Sequence, residues 1–155
     1  HLIYNMRCLL RRVSEAKVVV EASVVGQIST GLLIYLGIQQ TDSTEDLNWI
    51  TKKILGIRIF ENETGKMNSS ISEKEGILVV SQFTLFGNLK KGFRPSFHRA
   101  APPQDAERIY EDFLRKLKHQ HLGPVQSGIF GTDMSVLALD DGPVTIWLDS
   151  RIKNY

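Results

Sequence analysis

Along the first 40 residues, apolar and β-branched positions come in short bursts broken at Ser14-Glu15, Ala22-Ser23 and Thr30-Gly31. Branched side chains suit a pleated, half-buried surface and small polar pairs suit tight turns, so this stretch predicts several short strands that start as a meander. The period then changes. Leu47, Ile50, Ile54 and Ile57 recur at helical spacing, and Ser43 with Asp46 three residues later marks Ser43 as the N-cap of a helix over residues 44–56. Arg58 to Phe60 reads as extended, Asn62-Glu63-Thr64-Gly65 has turn chemistry, and Lys66 to Glu75 reads as irregular.

Gly76 to Phe86 is the most apolar run, and Val79-Val80 at its middle predicts a strand buried on both faces, central in the sheet. Gly87 to Pro103 has no periodicity and reads as a long surface loop carrying Lys90, Lys91, Arg94, His98 and Arg99 around Phe93 and Phe97. Pro102-Pro103 opens a second helix. Ala106, Ile109, Tyr110, Phe113, Leu114 and Leu117 form its apolar stripe, and Gly123-Pro124 stops it. Final strands are expected over 125–128, 133–139 and 144–149. The whole predicts a mixed α/β single domain: layered, mostly antiparallel β-sheets or a barrel-like sheet, packed with two main helices.

Composition adds limits. A chain of 155 residues fits one domain, and 42% apolar with 23% charged residues excludes disorder as the main state. The formal charge of +2 demands no polyanion partner by itself, although charge can be locally concentrated. Cys8, alone, cannot form an intrachain disulfide, which fits a reducing compartment and a cytoplasmic location. No apolar stretch approaches the ~18–20 residues of a membrane span. Residues 1–5 are expected to be a short extension or vector-derived remnant ahead of Met6, with one domain over 6–155.

Familiar catalytic patterns are missing: no nucleophile elbow, no Walker A loop, no dinucleotide glycine fingerprint and no paired-cysteine zinc site. His119 and His121 lack a third ligand at a recognisable spacing and read as a solvated helix end, so neither metal nor cofactor is expected. Two stretches are more polar than their surroundings. In Ser81-Gln82-Phe83-Thr84-Leu85, strand alternation puts Gln82 and Thr84 on one face and Ser81 and Phe83 on the other. Such groups either need buried partners or mark a strand emerging into solvent, and residue chemistry leaves both open. In Asp140-Asp141-Gly142-Pro143-Val144-Thr145, the Gly-Pro bond has a weak trans preference, although an ordinary turn is the simpler reading of that pair alone.

Together and in this order, these stretches resemble the two signatures of the D-aminoacyl-tRNA deacylase family: Ser81-Gln82-Phe83-Thr84-Leu85 the first, Gly142-Pro143-Val144-Thr145 the second. Arg11-Arg12-Val13-Ser14-Glu15-Ala16, Arg58-Ile59-Phe60, Gly65-Lys66-Met67-Asn68, Arg94-Pro95-Ser96-Phe97 and Gly128-Ile129-Phe130-Gly131 ahead of Met134 agree as well. The second signature usually begins with Asn where this chain has Asp140, which keeps an acceptor and loses the amide donor.

The resemblance implies removal of D-amino acids, and of misattached glycine, from the 3′ end of tRNA as a proofreading step of translation. It also implies a homodimer in which a cis Gly142-Pro143 peptide reaches into the partner's pocket and rejects L substrates. By the same resemblance Arg12 holds that loop, Phe130 and Met134 line the substrate pocket, and Ser81, Gln82, Phe83 and Thr84 lie at the reacting carbonyl. A tRNA substrate gives Lys90, Lys91 and Arg94 a role on its phosphates.

For the chemistry, Thr84 is a candidate nucleophile without an evident base. The preferred mechanism has backbone amides around Phe83 and Thr84 stabilise the oxyanion while the terminal ribose hydroxyl of the tRNA assists. Two rival readings are a non-enzymatic RNA-binding module built on the basic loop with Phe93 and Phe97, and a hydrolase of small D-aminoacyl esters without RNA.

Overall fold

The computed structural model describes residues 6–39 and 43–154, and the expectation for residues 1–5 lies outside them. The opening meander is present with different punctuation. β1 (Arg7–Val20), β2 (Ser23–Ile28) and β3 (Gly31–Gly37) are antiparallel neighbours, and β1 runs unbroken through Ser14-Glu15. That polar pair does not end a strand. It is absorbed where the pairing with the last strand shifts register between Arg11 and Glu15, as a bulge permits. Around the same point β1 changes partner, its residues up to Val13 pairing with β3 and those from Ala16 with β2.

The first helix, α1 (Thr44–Gly56), has the expected cap: Asp46 N donates to Ser43 Oγ while the Asp46 carboxylate accepts from Ser43 N. Burial alone would raise the Asp46 carboxyl, but hydrogen bonds from Ser43, Ser150 and Arg151 bring it below its ordinary value. A two-stranded ribbon follows, β4 (Phe60–Glu61) with β5 (Met67–Ser69), the latter inside the segment expected to be irregular. β6 (Gly76–Ser81) then pairs in parallel with β3 on one side and β7 (Val125–Ser127) on the other, so it is flanked on both edges. The second helix, α2 (Pro103–Gln120), buries Ala106, Tyr110, Phe113, Leu114 and Leu117 of the predicted stripe.

Both faces of β3 and β6 are used, which explains their unbroken apolar runs. Leu32, Ile34, Ile77 and Val79 face α1 and α2 in one cluster, whereas Leu33, Leu78 and Val80 join Val13, Val18 and Ile28 in another inside the curled sheet. The sheet order is β2-β1-β3-β6-β7, and curling brings its ends together: a Cβ on Gly26 of β2 would lie 2.6 Å from the Ser127 carbonyl of β7. The sheet is thus barrel-like and nearly closed. The last strand, β8 (Ser135–Asp149), pairs with β1 alone and leaves its other edge free among the described residues. It merges the last two of the three final strands expected, those over 133–139 and 144–149, into one, with Gly142-Pro143 inside it.

His121 departs from expectation. It is buried at the end of α2, its Nε2 2.8 Å from the Glu75 carbonyl, so it packs the helix end instead of being solvated. Among the described residues no three His, Cys, Asp or Glu side chains are grouped to hold a metal ion, and no helix is long and apolar enough to cross a membrane.

Candidate active site

A groove of about 690 Å³ opens where β6 ends, between that strand end, the start of α2 and the segment 130–136. Its lining is mainly apolar, with Leu36, Ile38, Val80 and Ala106 at the base. Polar atoms enter at the rim.

One rim is the first polar stretch. β6 stops at Ser81 and the chain winds into a 3-10 turn over Phe83–Phe86, so the expected continuation of the strand to residue 86 does not occur. Gln82 N is held by the Leu36 carbonyl at 2.8 Å, after which the amides turn away from the sheet. Strand alternation therefore fails here. Ser81, Gln82 and Phe83 all line the groove, where alternation would have split them between two faces. Within the turn, Leu85 N donates to Gln82 O at 3.3 Å and Gly87 N to Thr84 O at 3.0 Å. The amides of Phe83 and Thr84 come first in the turn, where no intra-turn acceptor exists, and neither donates to an acceptor among the described residues.

Thr84 is exposed, and its hydroxyl accepts from Gln82 Nε2. A carboxamide cannot take a proton as a base does, so this contact orients the hydroxyl without activating it. Phe83 is 58% exposed and meets Phe97 edge to face at 5.0 Å between ring centres.

The other rim carries Phe130 and Met134, both half-buried and both lining the groove. Phe130 leans on Tyr110 of α2, ring centres 5.7 Å apart, and Tyr110 Oη donates to the Val79 carbonyl of β6 at 3.2 Å. Burial pushes the Tyr110 phenol up to about 12, so it remains a neutral donor throughout the physiological range. One helix side chain thus ties the two rims together.

Gly142 and Pro143 do not line this groove. They sit exposed in β8, joined by a cis peptide bond, with Gly142 at φ +120°. Arg12, buried in β1, reaches the bend. Its Nη1 donates to the Ile59 carbonyl at 2.6 Å and its Nε to the Asp141 carbonyl at 3.2 Å, with the Asp141 carboxylate 3.3 Å away. Asp140, in place of the usual Asn, accepts from Arg11 Nε at 2.9 Å, so the oxygen it retains is the atom in use.

Lys90, Lys91 and Arg94 surround the fully exposed Phe93 at the tip of the 87–102 loop. The loop has no periodicity but is pinned twice: Asn88 and Ser96 exchange backbone hydrogen bonds across its neck, and Ala101 N donates to the Ile38 carbonyl at 3.0 Å. Pinning brings His98 and Phe97 into the groove wall. Sequence reasoning placed His98 in the loop and missed it as a lining residue, and also missed Ala100 to Pro103. The Pro-Pro start of α2 was the available signal, since it fixes where the loop must end.

Comparison with known proteins agrees over nearly the whole chain. The family model for D-Tyr-tRNA(Tyr) deacylase matches residues 9–149. The D-aminoacyl-tRNA deacylase of Kosmotoga olearia is 51% identical over 148 residues, covering 94% of this chain and 98% of that protein. That of Chloroherpeton thalassium is 50% identical over 149 residues, covering 96% and 98%. Among solved structures, the c-Myc DNA Unwinding Element Binding Protein superposes with a TM-score of 0.86 at 39% identity, covering 92% of this chain and 97% of that one. A probable eukaryotic D-amino acid tRNA deacylase shares the fold, with a TM-score of 0.79 at 19% identity over 94% and 99% of the two chains.

Proposed function

Because the chain belongs to the D-Tyr-tRNA(Tyr) deacylase family and hydrolyses the ester bond of D-aminoacyl-tRNA, we propose that the groove at the end of β6 receives the charged 3′ end and that the Phe83 and Thr84 amides hold the oxyanion. The observation that carries this reading is that these two amides have no acceptor of their own among the described residues, Phe83 lining the groove and Thr84 following it in the turn just outside the lining. A developing negative oxygen would supply one.

In this mechanism water adds to the ester carbonyl carbon and the carbonyl electrons move onto its oxygen, which the amides stabilise. The tetrahedral species collapses, the bond to the ribose oxygen breaks, and the proton from water passes to that oxygen with help from the neighbouring ribose hydroxyl. Free D-amino acid and tRNA leave. Thr84 contributes its backbone here, consistent with a hydroxyl that has only a carboxamide beside it.

The second half of the reading concerns chirality and assembly. Gly142 and Pro143 project from a strand edge that is unpaired among the described residues, near Leu137 and Leu139, 49% and 56% exposed. Long exposed edges with apolar side chains are natural pairing surfaces. In a two-fold dimer, the bend of one copy enters the groove of the other and presents main chain at the substrate α-carbon, which all amino acids share. No room is left on the side where an L side chain must project, while glycine passes. The Lys90, Lys91 and Arg94 tip meets acceptor-end phosphates, and a tRNA substrate places the protein in the cytoplasm.

Turnover of charged tRNA compared with a free D-aminoacyl ester tests this directly. Charged tRNA is expected to be cleaved and the free ester, lacking the ribose hydroxyl and the phosphates, left largely intact. Equal turnover would remove the RNA from the mechanism, and binding of RNA without hydrolysis would leave only a binding module. Sedimentation at micromolar concentration should show a dimer, and a fully active monomer would refute the shared site.

A further inference from the structure

Beneath the 83–86 turn lies a row of residues that the mechanism above does not use. Gly37, Arg7 and Asp149 stand side by side across β3, β1 and β8 as direct register partners. Gly37 meets the turn closely: a Cβ there would lie 3.0 Å from both Leu85 Cβ and the Phe86 ring and 3.2 Å from the Gln82 carbonyl. Arg7 grips the same turn. Its Nη1 donates to the Leu85 carbonyl at 2.9 Å, and its guanidinium carbon lies 4.9 Å from the centre of the Phe86 ring and 5.6 Å from that of Trp147. Its Nε pairs with Asp149 Oδ2 at 3.2 Å. The buried Asp149 is itself held, its Oδ1 accepting from the amides of Arg151 at 3.0 Å and Ile152 at 3.1 Å.

A four-residue 3-10 turn has poor hydrogen-bond geometry and does not hold its own orientation. Oxyanion stabilisation, in contrast, depends on donors placed within a fraction of an ångström. Arg7 bridges that gap. A planar guanidinium can lie against rings while donating from two separate nitrogens in its own plane, a geometry that the single nitrogen of an ammonium does not reproduce. We propose that Arg7, seated between Gly37 and Asp149, is a positioning residue for ester hydrolysis, fixing the height and angle of the turn that carries the Phe83 and Thr84 amides. This rests on the oxyanion reading given above.

The test uses the full chain with Arg7→Met, Arg7→Lys and Gly37→Ala. In Arg7→Met, amide exchange at Gln82–Phe86 should quicken by at least about tenfold relative to the middle of β1. Its kcat should fall about tenfold or more, with KM for charged tRNA within about twofold. Arg7→Lys should recover part of both losses. Gly37→Ala, which crowds the turn with Arg7 intact, should lower kcat in the same way, and it carries the test alone if Arg7→Met does not fold. Unchanged exchange at the turn, or a normal kcat per folded molecule with only lowered stability, overturns the positioning role. Faster exchange with unchanged kcat is a distinct result: it overturns the oxyanion reading itself, and Arg7's part in the reaction with it.

Discussion

The turn at Gln82–Leu85, whose first two residues line the groove, and the bend at Gly142-Pro143 both interrupt apolar strand with polar backbone, yet their settings are opposite. The rim is supported from below by Gly37 and Arg7, borders a cavity of about 690 Å³ and leaves two amides unengaged among the described residues. The bend stands exposed in an edge strand, tied at its root by Arg12 and lining no part of that cavity. A single copy of the chain therefore keeps its two unengaged amides, counted among the described residues, in one place and its Gly142-Pro143 bend in another. Under the proposed dimer the two meet only across subunits, with ester cleavage assigned to the rim and choice of substrate to the bend.

The largest expected effect comes from separating those two assignments at the bend. Gly142 lies at φ +120°, which L side chains rarely adopt, and a Cβ there would sit 3.0 Å from Arg12 Nη2 and 3.1 Å from Val144 Cγ2. Gly142→Ala should displace the bend and let L substrates in. The ratio of L- to D-tyrosyl-tRNA cleavage should rise by roughly a hundredfold, equivalent to losing ~3 kcal/mol of exclusion. A variant that cleaves neither form any differently from the parent would make the bend a mere turn.

A smaller effect is expected one step removed. Arg12→Met leaves the Ile59 and Asp141 carbonyls without their donor. The Ile59 bond is buried and its loss costs ~1–3 kcal/mol, while the exposed Asp141 can turn to water, so denaturant unfolding should show a loss of roughly 1–3 kcal/mol together with a milder relaxation of chirality. Stability lost without any change in chirality would show that Arg12 supports the fold and not the bend. The basic tip comes next. Alanine at Lys90, Lys91 and Arg94 should reduce the slope of log affinity for charged tRNA against log salt by about 2, at roughly 0.7–0.9 per phosphate contact. An unaltered slope would place the RNA elsewhere. The smallest effect is predicted at Thr84, where Thr84→Ala should keep kcat within about fivefold, since its amide remains. A fall of about a thousandfold would make the hydroxyl the nucleophile.

Much of this was legible in the residues. Period and caps located α1 and α2, because Ser43 with Asp46 and the Pro102-Pro103 start are local signals read within one turn of chain. Arg12, Phe130 and Met134 were reachable only through family resemblance, since nothing in a strand's alternation says that an arginine will bend under a distant loop. The 83–86 turn was misread as strand for a physical reason. Gln82-Phe83-Thr84-Leu85 alternates as a strand would, and what ends the strand is the close approach of Gly37, 45 residues earlier in the chain, which no local pattern contains. The continuity of β1 through Ser14-Glu15 was hidden likewise, because a bulge absorbs a polar pair only when a partner strand is there to shift against.

The central claim is that chirality is enforced by excluding L side chains with main chain, and its most direct measurement is the rate of hydrolysis of D-tyrosyl-, L-tyrosyl- and glycyl-tRNA by the unaltered protein under identical conditions. Exclusion at the α-carbon requires that the D form and the glycyl form both be cleaved while the L form is spared, because glycine offers nothing for the bend to clash with. Cleavage of the D form with glycyl-tRNA left intact would contradict it, since the protein would then be selecting a side chain through a complementary pocket.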